Sequence, residues 1–300
     1  MLSHRPDADL PHLFALVTLL PYAAAAHAAG WSDTVTLTVH LLLTLLWFGL
    51  FERWRPHRPA WRPARADLRR DATFLGVNAL ADGLAGVALG SLALQLAALQ
   101  PVPSPIASWP LWAAVPLAVL AAELAAYALH RALHREGWGW RVHLVPHRPG
   151  ALHVTNNFTT HPINVVMLKA AKLAPLALLG FGADAVLLAL LFLQLQSFAT
   201  HANTRGRMGW LNRVVGTAEL HRWHHSTRPE EAMNFATALP LWDQVFGTYR
   251  YLPGQEPQAV GISPHGDVPD AHDIRGLLRF PLRRPAALPP AQRPVDATDP

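Results

Sequence analysis

Residues 111–134 read LWAAVPLAVLAAELAAYALHRALH. From Leu111 to Leu129 the run holds one charged residue, Glu123. At about 1.5 Å per residue such a helix reaches nearly across a hydrocarbon layer of about 30 Å. Where the apolar run ends, His130 and His134 stand four residues apart, which places both imidazoles on one helix face. Glu123 and Tyr127 precede His130 on the same side, and a carboxylate there suits the orientation of a ligand histidine through its second ring nitrogen. A histidine pair at a helix C-terminus is also favoured by the helix dipole alone. Taken by itself, the stretch predicts a membrane helix and leaves the role of its histidines open.

Working outward, long apolar runs with few charges recur. Leu13 to Ala29 ends in Ala-His-Ala, which superficially resembles a leader-cleavage site. Arg5 is offset by Asp7 and Asp9, however, and a second run, Val35 to Phe51, follows at once, so a first membrane helix is favoured over a cleaved leader. Ala72 to Leu99 carries Asn78, Asp82 and Gln95, which implies one face turned to protein. Ile163 to Phe198 is too long for one span, and Gly180-Phe181-Gly182 offers a break between two helices, spanning or re-entrant. Pro101 to Pro110 is an uncharged connector. Between the second and third runs, Arg53, Arg55, Arg58, Arg62, Arg65, Arg69 and Arg70 face only Glu52, Asp67 and Asp71, the signature of a cytoplasmic loop. Counting crossings then puts His130–His161 and His201–His225 on that same side.

The composition agrees. Hydrophobic residues are 51% of the 300 and charged residues 15%, against about 25% in soluble globular proteins. The excess of positive charge is almost wholly arginine between apolar runs, so it reads as membrane topology and excludes nucleic acid as a partner. Cysteine is absent, which removes thiolate zinc sites, Cys-ligated iron–sulfur clusters and thiol catalysis. Histidine is abundant at 17, ten of them between His130 and His225. A metal held here takes nitrogen or oxygen ligands.

Those ten form blocks. His143-Leu-Val-Pro-His147 repeats the four-residue spacing, although Pro146 makes a regular helix awkward. His153 lies in a polar loop and reads as solvated. His161-Pro162 starts the next helix, a position equally suited to a ligand or to a structural role. His201-Ala-Asn203 closes another apolar helix. The strongest element is His221-Arg-Trp-His224-His225, whose spacing predicts three imidazoles on one helical face. Packed so closely they would repel one another if protonated, and a divalent metal bound to their neutral forms resolves that conflict.

Together the blocks resemble the fatty acid hydroxylase/sterol desaturase family of membrane-bound di-iron oxygenases. Glu123 through Tyr127 and His130 to His134 resemble the family's first block, with glutamate where aspartate is usual. Trp140 through His147 resembles the second, and Glu219 through Ser226 the third. Asn156 to Pro162, Phe198 to Asn203, Asn234-Phe235 and Leu241-Trp242-Asp243 through Thr248 resemble the intervening and closing segments. Three positions depart from the pattern: Pro146 replaces a paired histidine, Thr159 an arginine and Asn164 a glutamate, with His153 or water left to fill the gap.

The resemblance implies an all-α, multi-pass integral membrane bundle of about four to six membrane helices with a cytoplasm-facing, histidine-rich helical cap. It divides the chain into N-terminal membrane helices and Arg-rich loop (1–110), a catalytic domain (111–250) and a Pro-rich, partly disordered tail (251–300). The implied ligands of two iron ions are His130, His134, His143, His147, His201, His221, His224 and His225, with His161 as a further candidate. Glu123, Tyr127, Asn203 and Asp243 are expected to support them. Imidazole ligation accommodates zinc as well. Dioxygen, a membrane lipid and a soluble or membrane electron donor complete the expectation, at the cytoplasmic side of a bacterial inner membrane, for hydroxylation or desaturation of a lipid C–H bond. Two alternatives stay open on the residues alone: a degenerate member without oxygenase activity, and a membrane protein that binds or moves a divalent metal.

Overall fold

The computed structural model describes residues 9–98, 104–135, 137–262 and 267–283. Among the described residues there is no strand, and six helices are long and apolar enough to cross a membrane. They are α1 (Leu10–Ala28), α2 (Asp33–Trp54), α3 (Arg65–Ala98), α4 (Leu111–Leu133), α6 (Pro162–Leu179) and α7 (Ala183–His201). Among the described residues four short α-helices accompany them: α5 (Trp138–His147), α8 (Ala218–His224), α9 (Leu241–Val245) and α10 (Ile274–Arg279). The expected disordered tail falls, from residue 284 onward, outside the described residues.

Helix α2 shows why these segments belong in lipid. Its buried face is Thr36, His40, Thr44, Phe48 and Glu52, while Leu42, Leu46 and Leu50 are each more than half exposed. Leucines out and polar groups in is the reverse of a water-soluble helix, and it fits a bundle whose solvent is hydrocarbon. Two inward histidines find partners on α7: His40 Nδ1 lies 2.7 Å from Gln194 Oε1, and His12 Nε2 of α1 lies 2.6 Å from Gln196 Oε1. Helix α1 therefore packs into the bundle, with Ala15 and Leu19 joining Phe48, Leu195 and Phe198 in one core. A second core joins Ala114, Ala118 and Ala122 of α4 to Leu176 of α6 and Ala185, Ala189 and Leu193 of α7. Alanine on the α4 face lets the helices approach closely.

The break after α6 falls where the glycines predict it. Gly180 takes φ +69°, the left-handed conformation that ends a helix, and Gly182 caps the start of α7.

The loops at one end of the bundle are tied together. Glu52 Oε1, at the end of α2, accepts the backbone N–H of Val154 and of Asn203, each at 2.6 Å. Asp71, near the start of α3, accepts from Thr155 and Thr159 Oγ1 at 2.6 Å and pairs with Arg70 at 2.8 Å. The Arg53–Arg70 segment, the 148–161 loop and the end of α7 thus occupy one end of the molecule, as the crossing count requires.

Candidate metal centre

At that same end α4, α5, α7 and α8 converge. Helix α8 is placed by a backbone contact: Gly216 donates to Ala238 O at 2.8 Å, and Thr217 Oγ1 then caps α8 by accepting from Leu220 N. Proline does not interrupt α5, because Pro146 stands one residue from its end, where only one intrahelical hydrogen bond is lost. His143 and His147 therefore share a face.

Eight buried histidines form two groups. His130, His134, His143, His147 and His224 make the first, and His201, His221 and His225 the second, each with one ligand atom per residue within 4.8 Å of the others. The groups abut: the His147 and His225 rings stack at 4.3 Å, and His221 and His224 at 5.0 Å. The third block does not act as one face. His221 and His225 turn to His201, while His224 joins the α4–α5 group, since successive residues on a helix point about 100° apart.

The ring-nitrogen geometry fits metal ligation. His130 Nε2 lies 2.9 Å from His143 Nε2 and 3.3 Å from His134 Nε2, and His143 Nε2 lies 3.3 Å from His147 Nε2. In the second group His221 Nε2 lies 3.2 Å from His201 Nε2 and 3.1 Å from His225 Nε2. An imidazole nitrogen has one in-plane site, either a proton or a lone pair, so one Nε2 cannot hydrogen-bond two others at once. Ligands about 2.0–2.1 Å from a shared ion stand about 2.9 Å apart at right angles and about 3.4 Å at tetrahedral angles. The observed spacings fall on those edges.

The outer nitrogens fix the tautomers. His130 Nδ1 faces Phe235 O at 2.6 Å, His224 Nδ1 faces Met233 O at 3.0 Å and His201 Nδ1 faces Ser197 O at 2.8 Å. His143 Nδ1 faces Asn164 Oδ1 at 3.1 Å. Each partner is an acceptor, so Nδ1 carries the proton and Nε2 presents its lone pair inward. Burial first, and neighbouring imidazoles second, hold His134, His147, His221 and His225 well below the ordinary imidazole range. His143 and His224 are displaced the same way for the same first cause. All six are neutral near pH 7, as ligation requires.

Asp243 supports this arrangement at one remove. Its carboxylate accepts from Phe235 N, Ala236 N and Thr248 Oγ1 at 2.7–3.0 Å, which fixes the carbonyl that orients His130. Burial pushes its carboxyl up to about 7, against these three donors. Asn234 precedes Phe235 at φ +61°, a conformation asparagine tolerates, and its side chain bridges Leu220 O and Arg250.

Several expectations need correction. Among the described residues no hydrogen bond joins Glu123 to a histidine: its Oε1 accepts from Ala238 N at 2.5 Å and Leu239 N at 3.4 Å, holding the segment after Phe235. Tyr127 meets Thr248 Oγ1 at 2.9 Å rather than a ligand. Asn203 ties the end of α7 to the backbone of Arg58. His161 lies outside both groups, with Nδ1 capping α6 and Nε2 on Leu278 O. His153 is buried, 3.7 Å from Asp71 and 2.9 Å from Thr155 Oγ1, because the 153–158 turn packs against α3 and α7. It therefore does not fill the place left by Pro146. Thr159 accepts from the Arg70 guanidinium, and Asn164 is the acceptor for His143.

A cavity of about 370 Å³ opens onto both groups and runs between α4, α6 and α7, past Ala126, Leu168 and Leu193 to Lys172. Sequence reading missed Lys172, although a charge inside an apolar run is the signal that marks it. It also missed the carbonyls of Phe235, Met233 and Ser197, which no sequence pattern reports.

Comparison with known proteins agrees with the geometry. Residues 115–248 match the fatty acid hydroxylase family model. An ornithine lipid hydroxylase, OlsE, of Rhizobium tropici is 29% identical over 240 residues, covering 78% of this chain and 71% of the relative. No solved structure matches the chain. Six apolar helices and two abutting histidine groups accord with the family match: residues 115–248, which contain every one of those histidines, are similar to the fatty acid hydroxylase domain.

Proposed function

We propose that the chain is a membrane-bound hydroxylase that inserts oxygen from O₂ into a lipid C–H bond, with two iron ions held by the two histidine groups. The observation that carries the reading is the set of eight inward-facing imidazoles whose nitrogens cannot satisfy one another by hydrogen bonding. Nitrogen-only donors suit iron and also accept zinc. When bound there, iron supplies two-electron activation of dioxygen, so that one oxygen atom enters the substrate and the other leaves as water, with two electrons and two protons from outside.

The protein's part is to hold and to exclude. Phe235, Met233 and Ser197 carbonyls and the Asn164 amide keep the rings aimed. The apolar stretch of the cavity keeps water from the reacting C–H bond and gives a lipid chain somewhere to lie. A relative named as a hydroxylase of a membrane lipid favours hydroxylation over desaturation. The Arg53–Arg70 segment shares one end of the molecule with the histidines, which favours the cytoplasmic face of a bacterial inner membrane, where a separate electron donor would dock.

A metal-transport role would need ligands distributed along the helices. His27 instead lies 3.2 Å from Asp184, His40 is on Gln194, and Asp82 pairs with Lys169 at 2.8 Å. They are not gathered.

Metal analysis of the purified protein beside a His224→Ala/His225→Ala double variant tests the reading, because the two substitutions remove one ligand from each group. The expected result is about two iron ions per chain in the wild type and at most half of that in the variant. Equal metal content in both contradicts it.

A further inference from the structure

The chain has two lysines, Lys169 and Lys172, against 23 arginines, and both lie within the apolar helix α6 on the wall of the histidine-lined cavity. They are three residues apart and so share a face. Their situations differ. Lys169 Nζ donates to Asp82 O at 2.9 Å and to Asp82 Oδ2 at 2.8 Å, so its charge is met. Among the described residues no hydrogen bond or ion pair engages Lys172. Its ammonium lies within electrostatic range of Glu123 and His130. Glu123 accepts the backbone N–H groups of Ala238 and Leu239 through Oε1, and among the described residues no hydrogen bond or ion pair joins its carboxylate to Lys172.

A cation inside a membrane helix is costly unless it meets a counter-charge, and such residues ordinarily serve a substrate or ion. Lys172 lies eight residues beyond Asn164, about 12 Å along the helix axis. A lysine side chain on a helix leans back toward the N-terminal end, here toward the histidines. An apolar chain cannot use this ammonium; an anionic oxygen group can.

Resting on the hydroxylase reading for the site's identity, we infer that Lys172 binds an anionic oxygen group, a carboxylate or a phosphate, of the lipid that occupies this cavity. The substrate is thus an anionic or zwitterionic amphiphile rather than a neutral sterol or hydrocarbon. Lys169, neutralised by Asp82, shapes the same wall without competing for the anion.

The test is binding of hexadecanoate, hexadecyl phosphate and hexadecanol to the purified full-length protein in non-ionic detergent, followed by native mass spectrometry. Wild type is compared with Lys172→Met, Lys172→Arg and the surface control Arg69→Met. The expected result is a loss of about tenfold or more for the anionic amphiphiles in Lys172→Met, the worth of one charge-assisted contact. Hexadecanol binding stays unchanged, and Lys172→Arg and Arg69→Met retain anion binding. A larger loss for the carboxylate than for the phosphate assigns the carboxylate class, and the reverse assigns the phosphate. Unchanged binding of all three amphiphiles in Lys172→Met, or an equal loss of all three, overturns the inference. Lys172-dependent anion binding in a protein that holds no iron would leave this site standing and remove the hydroxylase reading. Iron with lipid oxidation but no anion preference would do the opposite.

Discussion

At Asn164 a single side-chain oxygen fixes the tautomer and tilt of His143, one of five rings in the larger histidine group. Partners of this kind are commonly worth 10–100-fold in metal affinity. Asn164→Ala is therefore expected to weaken iron binding by about that factor while leaving helical content unchanged, measured by chelator competition and circular dichroism. Equal affinity would show that the ring is held by packing alone. His153 offers a different residue-scale prediction. Burial pulls it down to about 4, against the nearby Asp71 carboxylate, so the folded state keeps it neutral where the unfolded chain protonates. Its folded value is below its unfolded value near 6.5, so the unfolded state binds more protons between the two. The stability it contributes is fully present above about pH 6.5 and is lost as pH falls toward 4. His153→Gln should flatten the acid limb of the thermal-unfolding profile relative to wild type; parallel profiles would refute the assignment. His153 also shows what a sequence hides, since a polar loop reads as solvated until α3 and α7 are seen to cover it.

Among the elements, α8 depends on a backbone approach and α2 on a carboxylate. A Cβ at Gly216 would stand 1.9 Å from Thr237 O, and the nearest atoms are all backbone of Thr237 and Ala238, so the loop before α8 must move to admit one. Gly216→Ala is expected to displace His221, His224 and His225 together and to lower bound iron more than Gly76→Ala, where open space surrounds the position. Comparable iron content in the two variants would contradict this. Glu52→Ala removes the acceptor for two buried N–H groups that join α2, the 154–158 turn and the end of α7. The expected cost is about 2–4 kcal/mol, read as a lowered midpoint of thermal unfolding, with Glu52→Gln intermediate. Helix faces were legible because spacing reports them: His130 with His134, and His221 with His225, each meet across one turn. Partner choice was not. That His224 points away from His225 follows from the step of about 100° between them, but which group each ring joins follows from where α4, α5 and α7 stand, which no local pattern encodes. The Pro146 helix was misread for a related reason, since a proline's effect depends on its distance from the helix end.

Over the whole molecule, the reading rests on one gathering of loops and histidines at a single end of a lipid-facing bundle. The apolar runs made that bundle legible from charge and length, whereas the side of the membrane is a matter of topology that the bundle itself does not carry. The absence of cysteine makes the topology directly testable. Arg62→Cys, in the arginine segment, should react with a membrane-impermeant thiol reagent only after permeabilisation. Ser32→Cys, between α1 and α2, should react in intact cells. The opposite pattern would place the histidines on the outer face. The central claim, that the eight histidines serve insertion of oxygen from O₂ into a lipid, is tested most directly by isotope. The purified protein, supplied with reductant and membrane lipids, is given isotopically labelled dioxygen in ordinary water, and the lipids are weighed by mass spectrometry. One labelled oxygen atom in each new hydroxylated lipid, absent in the His224→Ala/His225→Ala variant, is the predicted result. No oxygenated lipid, or product oxygen drawn from water, would contradict it.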